Sequence, residues 1–346
     1  MADLPARVRE AGDRIGSYVR KTYLQPSAWL SRLSGGEVLL KLENLQHTGS
    51  FKVRGALNKV LSLPAAERAR GVVAASTGNH GAAVAYALGK VGETGTVFVP
   101  RTAVPAKVQA IEWLGAELRH VGEDPLEAEL AARSFASEGG KTYISPYNDA
   151  DVIAGQGTVG LELVEQLSEQ LGDQQEGLDA VFVAVGGGGL VSGIASYLKA
   201  VQPSVQIFGC LPARAPVMAE CLREGQIHEV PSLPTLSDGT AGGLEEGAIT
   251  FGLCQSLIDR VVLVSEAEIA AALKQFISSH HQLIEGAAAV ALAGFLQVCR
   301  KEAQQESAQV GPEKETGQGE MNGKRIAIIL CGANISPETL QEALSS

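Results

Sequence analysis

One lysine in this chain lies in an unusual setting. It sits in the run Thr48-Gly49-Ser50-Phe51-Lys52-Val53-Arg54-Gly55-Ala56, after an apolar segment that ends at Leu45. A lone lysine is ordinarily a surface charge, and that is the bland reading of this one. Here Gly49 and Ser50 lead up to it, and Phe51 and Val53 flank it. Apolar neighbours disfavour the ammonium form, lower its pKa and leave an amine able to attack a carbonyl or take a proton. That is the chemistry of a Schiff-base lysine. Such a lysine needs an aldehyde, so the rest of the chain has to offer a place to bind one.

Three glycine-containing turns follow strand-like apolar segments. In open parallel sheets, ligands bind beyond the carboxyl ends of strands, so all three turns can share one crevice. The first is Gly186-Gly187-Gly188-Gly189. Without side chains, its N–H groups can close on a phosphate, and the helix that follows adds positive potential. A tight turn alone does not need four successive glycines, each of which raises the entropy of the unfolded chain. The run is not Gly-x-Gly-x-x-Gly and no Lys-Ser/Thr follows, so the dinucleotide and Walker fingerprints fit it poorly. The second turn is Ser76-Thr77-Gly78-Asn79-His80-Gly81. Its N–H groups and the Ser76 and Thr77 hydroxyls suit a carboxylate, and Asn79 suits a hydroxyl or phenolate. Ordinary helix capping explains the same residue types equally well, and His80 taken alone reads as structural. The third turn, Cys331-Gly332-Ala333-Asn334, ends the last strand; taken alone, Cys331 reads as a small buried hydrophobe.

These turns require an alternating frame. Strands are predicted over residues 37–42, 70–75, 96–99, 116–121, 141–144, 180–185, 206–210, 260–264 and 325–330. Helices are predicted over 5–20, 52–62, 82–90, 105–114, 125–138, 155–171, 191–200, 265–279 and 286–300, with Ser265 and Glu268 forming a capping box. The alternation predicts an α/β fold with parallel sheets covered by helices. Residues 231–247 read as a long Gly- and Pro-rich loop, and 304–323 as a mobile polar insertion.

Composition narrows the function. With 346 residues the chain can hold about two domains. A net charge of −11 argues against nucleic acid or an anionic membrane as partner. The five cysteines are scattered, without metal-ligand spacing or a disulfide framework, which suits a reducing cytoplasmic setting. Residues 1–20 lack an apolar signal core, and no run is apolar enough to span a bilayer.

Residues 48–56, 76–81, Ile153-Ala154-Gly155-Gln156-Gly157-Thr158, 186–189 and 331–334 occur in an order that resembles one family. It is the serine/threonine dehydratase and serine racemase branch of the pyridoxal-phosphate enzymes, with the tryptophan-synthase-β fold (fold type II). The similarity runs from about Arg14 to the C-terminus apart from 304–323. It implies two parallel-sheet α/β domains with the cofactor in the cleft between them. Residues 1–67 and 149–346 would form the large cofactor-binding domain, and 68–148 a small domain that closes on the substrate. It also implies a homodimer.

The resemblance further implies a role for each motif residue. Lys52 would hold pyridoxal 5'-phosphate as an internal Schiff base and later remove the substrate's Cα proton. Phe51 would pack on the pyridine ring, Asn79 would bond its phenolic oxygen, Gly186, Gly187, Gly188 and Gly189 would bind the phosphate, and Cys331 would face the ring nitrogen. Glu285 would lie beside the ring; Ser76, Thr77, Asn79 and His80 would surround the substrate carboxylate; Gly239 would lie near the substrate amine and Tyr147 would line the substrate. The implied reaction is loss of water from a 3-hydroxy amino acid of the L-serine or L-threonine type, giving a 2-oxo acid and ammonia.

Departures from the branch matter. Racemases use a serine hydroxyl as opposite-face acid/base where this chain has Thr77, whose added methyl restricts χ1. Acidic cation ligands of several relatives are matched by Leu211 and Pro216, so that metal site is expected to be lost. A lysine of the racemase nucleotide site is matched by His47. The aromatic Tyr147 resembles dehydratases more than racemases. The rivals are therefore an amino-acid racemase, a Rossmann-type dinucleotide oxidoreductase and a pyridoxal-phosphate-binding protein without turnover.

Overall fold

Ten strands, two sheets and the helices between them make up the structure, a computed structural model that describes residues 3–103, 105–172, 177–309 and 319–345. The strands are β1 (Leu24–Pro26), β2 (Glu37–Lys41), β3 (Val72–Ala75), β4 (Gly95–Val99), β5 (Glu117–His120), β6 (Thr142–Tyr143), β7 (Ala180–Ala184), β8 (Gln206–Pro212), β9 (Arg260–Val264) and β10 (Arg325–Ile329). One sheet has the order β1-β2-β10-β7-β8-β9 and the other β5-β4-β3-β6. All pairings are parallel except β1 on β2.

The apolar runs explain the layers. Every residue of β7 is buried, as a central parallel strand covered on both faces requires. Phe182 on β7 stacks on Phe208 of β8 at 4.3 Å and meets Phe295 edge-on at 5.4 Å. Phe295 belongs to helix Gly286–Gln309, whose alanines let it lie close on the six-stranded sheet. In the smaller sheet, Ala128, Ala132 and Ala136 of helix Pro125–Glu138 recur every four residues and pack with Val73 and Phe98.

Helix Ala150–Leu171 carries the chain back to the large sheet and crosses helix Lys52–Ser62. Only glycines permit that approach: a Cβ on Gly155 would stand 2.6 Å from the Arg54 carbonyl oxygen, and one on Gly55 would stand 2.3 Å from Gln156 Nε2. Charges lie beneath the crossing. Arg54 reaches Glu43 Oε2 at 2.7 Å and Glu162 Oε1 at 2.7 Å, while Lys41 reaches Glu162 Oε2 at 2.6 Å. Arg54, Lys41 and Glu43 are wholly buried.

Several expectations are corrected. The first helix is Leu4–Ile15 and stops before Gly16, well short of residue 20. Leu24–Pro26, where no strand is predicted, pairs as an edge strand, in which the missing proline N–H costs no ladder bond. The helix expected from 82 begins at Asn79. Residues 304–309 continue helix Gly286–Gln309 rather than opening an insertion, and Met321 is fully buried, so the expected insertion is anchored at both ends. Residues 310–318 lie outside the described residues. No helix among the described residues is long and apolar enough to cross a membrane.

Candidate active site

The turns after β3, β7 and β10 open into one cleft of about 1550 Å³, lined also by residues 238–245 and by Lys52. Lys52 is the first residue of helix Lys52–Ser62. The segment before it is fastened to the end of β10. Phe51 N donates to Cys331 O at 3.0 Å, Ala333 N donates to Gly49 O at 2.8 Å, and Asn334 Nδ2 donates to Thr48 O at 2.8 Å. Gly49 is needed there: it has φ +72°, and a Cβ would stand 2.6 Å from Asn334 Oδ1.

The Lys52 amine donates to Pro146 O at 2.9 Å and lies 5.3 Å from the centre of the Phe51 ring. Burial pushes its pKa down to about 8, against the opposing pull of Cys331 and Glu285. About a tenth of the expected nucleophile is therefore uncharged at pH 7, far more than of an ordinary lysine.

Across the cleft, Gly186, Gly187, Gly188 and Gly189 connect β7 to helix Gly189–Val201. Gly188 has φ +86°, which directs the turn into the helix N-terminus. No N–H of residues 186–189 donates to a protein acceptor among the described residues. Their donors remain open for an anion. The loop cannot carry side chains: a Cβ on Gly187 would stand 2.4 Å from the Tyr147 ring, and one on Gly186 would stand 2.9 Å from Thr240 backbone.

Asn79 and Glu285 meet directly. Asn79 Nδ2 donates to both Glu285 oxygens at 2.9 and 3.1 Å, and Asn79 Oδ1 accepts from Asn334 Nδ2 at 2.6 Å. Glu285 also accepts from Asn334 N at 3.0 Å. Gly239, in the turn Asp238–Thr240, lies beside Glu285; a Cβ there would be 3.6 Å from Glu285 Oε1. Cys331 is buried, and desolvation with the nearby Glu285 carboxylate raises its thiol pKa well above the ordinary range.

Ser76, Thr77 and His80 line the same cleft. Ser76 Oγ accepts from Gly78 N at 3.2 Å. The imidazole of His80 turns away: Nε2 meets Ile144 O at 2.8 Å, and since a carbonyl only accepts, Nε2 carries the proton. Burial and the Lys52 charge lower its pKa to about 3, so it is neutral. Tyr147 lies against the glycine loop, and its hydroxyl accepts from Glu245 N at 2.9 Å. Burial raises its pKa to about 12. Leu211 is a buried residue of β8, and Pro216 precedes helix Val217–Glu224. His47 stacks on Tyr86 at 5.4 Å.

Sequence reasoning missed Pro146, whose carbonyl holds the lysine amine, and gave no role to Asn334 or Glu245. No motif marks a backbone acceptor. Asn334 lay in a quoted motif, and its position one turn beyond Cys331 was the available signal.

The residues fit pyridoxal phosphate: an amine of lowered pKa, a side-chain-free cradle of open N–H donors, and Asn79, Glu285 and Cys331 lining the same cleft. Comparison with known proteins agrees. A family described as "Pyridoxal-phosphate dependent enzyme" matches residues 15–311. L-threonine ammonia-lyase of Thermotoga maritima is 37% identical over 338 residues, covering 98% of this chain and 77% of that one. The processed form of threonine deaminase isoform 2 from Solanum lycopersicum superposes with a TM-score of 0.86 at 31% identity, covering 99% of this chain and 93% of that one. Maize serine racemase superposes with a TM-score of 0.84 at 31% identity, covering 98% and 96%. The chain is a member of the pyridoxal-phosphate-dependent enzyme family and has its tryptophan-synthase-β-like fold.

Proposed function

We propose that this protein is an ammonia-lyase that uses pyridoxal phosphate to remove water from a 3-hydroxy amino acid of the L-serine or L-threonine type. The products are a 2-oxo acid and ammonia. The observation that carries the reading is the Lys52 amine, held at Pro146 O with its pKa lowered to about 8, in the same cleft as the open N–H groups of residues 186–189.

When bound, the cofactor supplies an aldehyde for an amine and an electron sink for charge at the substrate's Cα. Lys52 would hold the cofactor's aldehyde, and its amine, when free, would remove the Cα proton. Gly186, Gly187, Gly188 and Gly189 hold the phosphate through N–H groups and the following helix terminus. Cys331 stays a neutral thiol and would be a weak partner for the ring nitrogen. Ser76, Thr77 and the first N–H groups of helix Asn79–Lys90 receive the substrate carboxylate. Phe51 would face the ring, Asn79 would hold its phenolic oxygen, and Gly239 would leave room for the substrate amine. Residues 68–148, which carry the four-stranded sheet, act as the closing domain, and closure excludes water. A homodimer in the cytoplasm completes the reading; light scattering giving a monomer removes the dimer.

The test is direct. Purified protein with added cofactor should absorb near the visible, borohydride should fix the label on Lys52, and L-serine or L-threonine should yield keto acid. Lys52→Ala should lose the label and lower turnover by at least about 10²–10⁴-fold, the scale of one lost proton-transfer group. Normal turnover by Lys52→Ala overturns the reading. Formation of D-serine without keto acid replaces it with the racemase.

A further inference from the structure

Glu245 has no part in the chemistry above, yet it ties the loop 238–247 to several other segments. Its carboxylate meets three groups. Arg133 Nη2 lies 2.8 Å from Oε1, Asn148 Nδ2 donates to Oε2 at 3.1 Å, and Ser145 Oγ donates to Oε1 at 3.4 Å. Its backbone N–H donates to the Tyr147 hydroxyl at 2.9 Å. All of these partners lie within residues 68–148, whereas Glu245 belongs to the loop 238–247. Arg133 is on helix Pro125–Glu138, which packs on β3 and β4 of the four-stranded sheet. Ser145, Tyr147 and Asn148 lie in the connection from β6 to helix Ala150–Leu171, where the chain leaves that sheet. Asn148 Oδ1 also accepts from Ile249 N at 3.0 Å, fixing the start of helix Ile249–Leu257 just beyond the loop.

We propose that Glu245 and Arg133 form the latch that holds the four-stranded sheet and the loop 238–247 shut over the cleft. Glu245 is a positioning residue: it acts through Tyr147, whose ring backs the glycine loop at Gly187, and through Arg133. The design suits a reversible device. Arg133 is also bonded to Glu129 on its own helix, with Nε to Oε1 at 2.9 Å, and its guanidinium lies 4.4 Å from the Tyr143 ring. It therefore stays oriented when Glu245 withdraws. The Arg133–Glu245 approach is an ion contact rather than an aligned hydrogen bond: Nη2 itself is buried, while both side chains as a whole keep partial exposure. Glu129, Tyr147 and Glu245 all line the cleft, so the latch closes where substrate enters.

The inference rests on the proposed reaction, and two measurements separate them. With the loaded enzyme, Arg133→Gln and Glu245→Gln should each raise KM about tenfold and leave kcat within about threefold, because the contact favours the closed form and touches no reacting atom. The double variant should be no worse than either single one, and Arg133→Lys should return KM to near wild type. With cofactor-free protein, amide exchange across residues 238–248 should quicken about tenfold in both Gln variants. Additive KM effects, or unchanged exchange, overturn the latch. Wild-type protein that releases no keto acid overturns the reaction instead, and exchange alone then decides the latch.

Discussion

In the proposed reaction Lys52 would work as a free amine, so its reactivity would follow the pH at which its ammonium form disappears. Burial sets that point near 8, well below an ordinary lysine. The sign is fixed by the chemistry: below about 8 the amine is protonated and cannot attack an aldehyde, and above it the fraction available approaches one. Cofactor uptake by the apoprotein should therefore slow about tenfold per pH unit below the folded pKa and level off above pH 9. His80 adds no inflection in that range, because its pKa lies near 3. Stopped-flow absorbance between pH 6 and 9.5 checks this. Uptake independent of pH from 6 to 8, or still climbing at 9.5, contradicts the assignment of a depressed pKa to this amine.

At the level of elements, the helix that begins with Lys52 is held by the buried group of Arg54, Glu43, Glu162 and Lys41, which is neutral as a set. Glu162→Gln would leave two cations facing Glu43 alone, and an uncompensated buried charge costs about 3–5 kcal/mol. Lys41 offers relief, because burial already lowers its pKa. In the variant it loses its proton more readily still, so the destabilisation should be largest at low pH and shrink as pH rises toward 9. Urea melts at pH 7 and pH 9 measure both effects; a cost below about 1 kcal/mol at pH 7 would show that the group does not anchor the helix. This group also marks where the sequence stops being legible. The glycine turns, β7, β10 and helix Pro125–Glu138 were readable, because apolar runs, glycines and caps are local signals. Lys41 and Glu43 alternate with apolar residues just as surface charges on a strand do, and only the crossing helix Ala150–Leu171 makes them interior. Helices Val217–Glu224 and Ile249–Leu257 were missed because they are short, and a helix of two or three turns depends on tertiary contacts to form. Arg133 and Glu245 lie 112 positions apart, and nothing local links them.

Across the whole molecule, the cleft draws its walls from segments at 48–52, 76–80, 186–189, 238–245, 285 and 331–334, contributed by both sheets. Such a site exists only in the folded chain, so any ligand that fills it must stabilise the fold. The stabilisation grows with occupancy as RT ln(1 + [L]/Kd), about 2.7 kcal/mol at a hundredfold excess over Kd. The contributions of the two halves of the site can be separated this way. In the proposed reaction Lys52 would supply the covalent hold and the glycine loop the phosphate hold. Pyridoxal phosphate should therefore raise the unfolding temperature of wild-type protein more than that of Lys52→Ala, yet still raise both. Inorganic phosphate should raise both equally, because the lysine is not among its ligands. Thermal unfolding across a phosphate titration reads the difference. If phosphate shifts neither protein, residues 186–189 are only a turn. If phosphate shifts wild type alone, Lys52 is an anion ligand rather than the aldehyde's partner, and the site would have to be reassigned from its phosphate end.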